Sequence, residues 1–172
     1  MINIRLFIAA IAGLATLTGL TGCGLAKNTK KVEAEVDRFH QHWNKDEFQA
    51  VFDEAHINFR NAQPASSVLT TFQSVKKNYG DLKSSKRRNW GFNTNNGITD
   101  IRIGYDSVFD HGTGVEEFVY RMNGEKPLLV SYDIASPETV AKREAEQKET
   151  REAKRKAEEQ ERKEAREARK KP

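Results

Sequence analysis

Cys23 is the single thiol of a 172-residue chain. One thiol forms no internal disulfide and supplies no all-cysteine metal site. Its chemistry is therefore that of a lone sulfur nucleophile or of a small buried side chain. The four histidines are His40, His42, His56 and His111. His40 and His42 stand two apart on a stretch with helical periodicity, about 200° around the axis, so they do not share a metal from there. His42 and His56 would align only on an unbroken helix, and Asn44-Lys45 interrupts the phase. Asp53 and His56 are three apart and within reach as helix neighbours. We read all of these as solvated or capping groups. No HExxH, GxSxG, GxxxxGK[ST] or GxGxxG pattern occurs, and no metal ligand set or cofactor is indicated. Asp110-His111 falls at a turn beside Gly112-Thr113-Gly114 and reads as solvated.

Three further groups remain. Tyr105, Tyr120 and Tyr132 share the apolar parity of three strands and are candidate lining for a small pocket, since a buried phenol needs a partner. Asp106 and Asp133 have the opposite parity and face solvent, so the parity argument places no ionisable side chain inside. That argues against catalysis. Lys83, Lys86, Arg87 and Arg88 precede Trp90. Lys86, Arg87 and Arg88 are candidate contacts for anionic headgroups or a glycan phosphate, and on the plainer reading they mark a charged edge strand.

The elements that must position these groups begin with an address. Residues 1–22 carry Arg5 and then a run from Leu6 to Leu20 without a charge. Those 15 residues are short of the roughly 20 that a membrane-spanning helix needs and have the length of a secretory hydrophobic region. The run ends at Leu20-Thr21-Gly22-Cys23, which resembles a bacterial lipobox. The resemblance implies cleavage before Cys23, diacylation of its thiol and acylation of the new amino end. Several acyl chains, at about 0.8 kcal/mol per buried CH₂, make a stable anchor. Gly24 stands where an Asp would resemble inner-membrane retention, so an outer-membrane lipoprotein facing the periplasm is implied. Residues 23–28 form the anchor and a short linker. Gly24 to Asn28 reach at most about 17 Å, so the domain sits close to the membrane.

Residues 29–136 show helix periods, then strand periods. Thr29 is the expected N-cap, followed by the stripe Val32, Val36, Phe39 and Trp43. Asp46 is expected to cap a second piece with Phe48, Val51, Phe52 and Ala55 on one face. Pro64 opens a third helix with Val68, Leu69, Phe72, Val75 and Tyr79, and Gly80 stops it. Period-two runs follow: Trp90 and Phe92; Ile101, Ile103, Tyr105 and Phe109; Phe118, Tyr120 and Met122; Leu128, Val130, Tyr132 and Ile134. Turn residues fall between them, and Asn123-Gly124 is expected as a type I′ hairpin turn. The order is α+β: N-terminal helices on a curved four-stranded antiparallel meander. The run Phe39…Trp43 to Phe52, Phe59, Phe72 to Gly80, Glu116 to Tyr120 and Leu128 to Ile134 resembles a cystatin-like or NTF2-like domain. It is closer still to the small periplasmic domains of unknown function in that superfamily. The resemblance implies a sheet wrapped around a helix and a binding or scaffold module. Competing readings are a pocket enzyme of the NTF2-like type and a spacer with no ligand.

Residues 137–172 form a charged tail with 13 Lys and Arg against 10 Glu. Glu precedes a base by four at 138/142, 144/148, 152/156, 158/162, 159/163 and 167/171. Pairs of this kind contribute roughly 0.2–0.5 kcal/mol each to a helix. Ser136 and Pro137 suit its cap and first turn. Sustained apolar heptads are missing, so no coiled-coil seam is read. The tail reads as a projecting arm toward an envelope protein, the cell wall or anionic lipid. The net charge of +4 belongs to the ends, because 23–136 holds 15 bases and 15 acids. Nucleic acid is not an expected partner of an exported, anchored chain.

Overall fold

The computed structural model describes residues 21–168, with side chains over 26–164. Residues 1–20, on which the expected address segment falls, the Cys23 side chain and the last four residues lie outside what is described. Among the described residues no helix is long and apolar enough to cross a membrane.

Helix α1 runs Thr21–Asn44, α2 Phe48–Glu54, α3 Ile57–Ala62 and α4 Ala65–Tyr79. Strands β1 Leu82–Asn95, β2 Ile98–Phe109, β3 Gly112–Asn123 and β4 Lys126–Ala135 follow, and α5 spans Pro137–Ala168. The sheet order is β1-β2-β3-β4 with every pair antiparallel, the expected α+β meander.

Thr29 does not cap α1. It is an interior helical residue, buried on the same stripe as Val32, Val36, Phe39 and Trp43. Asn44 ends the helix by docking on the sheet: its amide donates to the Leu82 carbonyl at 3.0 Å, and its oxygen accepts from the Leu82 N–H at 2.8 Å. Asp46 does not cap α2. It takes a left-handed φ of 57°, which Asp tolerates better than most residues, and the N-cap is Glu47 without a side-chain bond. The four-residue spacing of Phe48, Phe52 and Val51, Ala55 still places α2 on the core. α3 is a short helix beyond the expected set. His56 caps it, its Nδ1 accepting from the Asn58 N–H at 3.1 Å. Pro64 sits one residue before α4, and Gly80 closes it at φ 80° as expected.

The hairpin chemistry differs from expectation. Asn96-Gly97 is the two-residue loop with positive φ at both positions, which type I′ demands. The β3–β4 loop is Gly124-Glu125, with positive φ at Gly124 alone, as type II′ requires. The face of β4 also changes midway. Tyr120 pairs with Leu129 but Val119 pairs with Ser131, so one extra residue is accommodated at Val130. A bulge of this kind flips side-chain phase. Leu129 therefore joins the core together with Tyr132 and Ile134, and the single face expected for Leu128, Val130, Tyr132 and Ile134 is split.

The core lies between the helices and one sheet face. Phe39 is its hub, with ring centroids 4.6 Å from Tyr132, 5.1 Å from Phe118 and 6.1 Å from Phe72. On the opposite sheet face, α5 starts from a Ser136 cap, with the Thr139 N–H donating to Oγ at 3.2 Å. Its first turns cross the strands through Arg143–Asp133 at 3.1 Å and Glu144–Arg88 at 2.9 Å. Glu144 thus turns away from Lys148, while Glu159–Lys163 closes at 2.8 Å as expected.

Candidate functional site

The strand alternation that buries Phe118 and Tyr120 also buries Glu116, two residues earlier on β3. Its side chain has 0 % exposure, against 2 % for Ser107 and 6 % for His40. This corrects the parity argument, which placed no ionisable group inside. His40 is corrected as well. It is neither solvated nor a cap, because it follows Val36 by four and falls on the buried stripe of α1. Ser107 lies on β2 between Tyr105 and Phe109 on the inward face, and the β4 bulge turns Tyr132 inward.

These four residues form one network. The Tyr132 hydroxyl donates to Glu116 Oε1 at 3.0 Å, His40 Nε2 lies 3.0 Å from Oε2, and the Ser107 hydroxyl donates to Oε2. An unpartnered buried carboxyl group costs several kcal/mol, and the two hydroxyl donors, with the His40 imidazole beside them, offset that cost. Burial, and then the charge of Glu116, push the Tyr132 phenol well above its ordinary value of 10.0. Burial pushes Tyr105 up to about 12, aided by Glu33 and Asp37. Burial is also the first cause at Tyr120, raised well above 10.0. All three phenols stay protonated at neutral pH. Ser107 and His40 both bond to the carboxylate and not to each other. This differs from a nucleophilic triad, where the imidazole stands between hydroxyl and acid.

The three tyrosines surround a ring rather than one pocket. Phe118 lies 6.1 Å from Tyr105, 6.3 Å from Tyr120 and 5.0 Å from Tyr132 by centroids. Tyr132 also lines an open groove of about 250 Å³ with Phe59, Val68, Phe72 and Val130. Lys86, Arg87 and Arg88 lie on β1, an edge strand as the plainer reading expected. Arg87 is engaged by Glu33, and Arg88 by Asp106 and Glu144. The acids reduce what those guanidinium groups offer an external anion.

His42 Nδ1 meets Glu47 at 2.8 Å and does not join His40. Among the described residues no three His, Cys, Asp or Glu side chains group to hold a metal ion. At the β2–β3 turn Asp110 accepts from the Asp81 N–H at 2.7 Å and pairs with Lys83 at 2.7 Å. Lys83, and then the Asp81 N–H, hold its carboxyl below the usual 3.8. Asp106 and Asp133 face outward, as their parity predicted. No protein-family model matches this chain, and no curated protein is significantly similar to it.

Proposed function

We propose that the protein is a lipid-anchored module of the cell envelope, held at the outer membrane through Cys23 and facing the periplasm. It acts by binding or scaffolding, without catalysis or a cofactor. The lipobox residues Leu20-Thr21-Gly22-Cys23 support the anchor. The observation that carries the non-catalytic reading is the closed carboxylate cluster: Glu116 has no exposed surface, and His40, Ser107 and Tyr132 all spend a bond on it. A pocket enzyme of the NTF2-like type would also carry an inward carboxylate, but one that a substrate reaches. The element order, helices followed by a four-stranded antiparallel meander, supports a cystatin-like or NTF2-like assignment. In this reading the module works through its surfaces and its helical arm, α5, with an envelope protein, the cell wall or anionic lipid as partner.

The anchor is tested by palmitate labelling in cells. The wild-type chain incorporates label and accumulates as an uncut precursor under globomycin, while Cys23→Ser does neither. Label retained by Cys23→Ser refutes the lipid anchor. The arm is tested by crosslinking intact cells with and without residues 137–172. An unchanged pull-down and unchanged localisation of the truncated chain refute its role in partner contact.

A further inference from the structure

The second half of β1 is apolar on a face that the helices leave open. Trp90 pairs across the sheet with buried Ile103, and Phe92 with buried Ile101, so both point to the helix side. Yet Trp90 is 45 % exposed and Phe92 50 %, with their rings stacked at 6.4 Å. Ile98, at the tip of the same hairpin, is exposed on the opposite face and is not part of this pair.

The path of α1 explains the opening. Asn44 is tied to Leu82, and Glu33 to Arg87, so helix and strand run antiparallel along the sheet. Beyond that second tie α1 leaves β1, because Lys27 and Lys31 reach Glu125 in the β3–β4 turn, at 3.4 Å and 3.2 Å. From Glu33 back to Cys23 the helix rises about 15 Å. From Arg87 on to Phe92 the strand advances about 17 Å. The start of α1 and the exposed aromatic pair therefore lie at one end of the molecule, beside the β1–β2 and β3–β4 turns. The same end collects Lys27, Lys30, Lys31 and Lys126 against Glu125, while Arg121 and Asp100 neutralise each other.

We infer that this end is a membrane-docking surface: Trp90 and Phe92 enter the interfacial layer of the bilayer that holds the Cys23 lipid, and the lysines contact anionic headgroups. The inference rests on the lipid-anchor reading. The physical grounds are general ones. Tryptophan and other aromatic side chains favour the headgroup level, with apolar body toward the acyl chains. Each basic residue near an anionic surface adds attraction. A chain anchored at the start of α1 presents this end to the bilayer without further ordering. A docked orientation also aims the β2–β3 turn, at the other end of the sheet, away from the membrane.

The test uses the full chain, purified from cells in detergent and reconstituted into phosphatidylethanolamine–phosphatidylglycerol vesicles, with and without bromine on the acyl chains. The chain has two tryptophans, Trp43 in the core and Trp90 on the surface. Wild-type emission should fall in brominated vesicles, and the loss should vanish in Trp90→Phe, where only Trp43 remains. Phe92→Ser, an exposed change, should reduce the loss. The lipid mass on Cys23 is read on the same sample. Absence of that mass overturns the anchor reading and this inference with it. Its presence with no bromine-dependent loss overturns the docking surface alone. Shielding of Trp90 from aqueous acrylamide without bromine quenching, together with a crosslinked dimer, assigns the face to a second copy and also overturns it.

Discussion

Removing the His40 ring tests the buried cluster most directly. His40 Nε2 is one of three groups on the Glu116 carboxylate, and the ring packs 5.7 Å from Phe118 and 6.1 Å from Tyr105. His40→Ala removes a bond to a charged group, worth about 1.5–3 kcal/mol, and leaves a void beside aromatic rings. The lost bond and the void act together, and we expect His40→Ala to cost about 2–4 kcal/mol. Glu116→Gln keeps the volume and one acceptor oxygen for Tyr132, so a loss of about 1–2 kcal/mol is expected. The double variant should cost at least about 1 kcal/mol less than the two single losses added, because the same contact is removed twice. The assay is urea unfolding of the detergent-solubilised chain in a Trp90→Phe background, followed by Trp43 emission, with the slope unchanged between variants. A His40→Ala chain within about 0.5 kcal/mol of wild type, or strict additivity in the double variant, refutes the cluster as the device that keeps Glu116 buried.

Two other outcomes follow from the same geometry. Gly80→Ala places a Cβ at 2.6 Å from the Asp110 Cβ at a φ of 80°, so a loss of about 1–3 kcal/mol is expected, and an unchanged urea midpoint contradicts it. Arg121 grips Asp100 with two bonds of 2.7 Å and holds its carboxyl below the ordinary 3.8. A depressed carboxyl stabilises the fold above its unfolded value, and that contribution disappears as pH falls through the folded value. Asp100→Asn should therefore lose less stability than wild type as pH falls below about 4, read by urea titrations across the acid range. Parallel acid limbs for the two chains contradict this.

Much of the scaffold was legible because local periods report burial. The stripe from Val32 to Trp43 is a helix face, and the alternation from Ile101 to Phe109 is a strand face, whatever they pack against. Glu116 was legible by the same rule, since it keeps phase with Phe118, but its residue type argued for solvent and masked the pattern. His40 was hidden likewise between two apolar neighbours of one stripe. The β4 face was not legible, because a single bulge at Val130 reverses phase and no residue type there announces it. α3 was missed because six residues carry too few apolar positions to show a period.

By itself the sequence determined the α+β order, the four strands, the stop at Gly80, the charged tail and the thiol at the end of an apolar run. All are consequences of neighbours within a few residues. Only the tertiary structure decided which polar groups meet. His40 and Glu116 are 76 residues apart and come together because α1 crosses the inner face of β3. It likewise decided that Trp90 and Phe92, on an inward-facing strand surface, remain uncovered. A helix is straight and the sheet is broad, so the ties of α1 to Glu125 leave the far corner of β1 open.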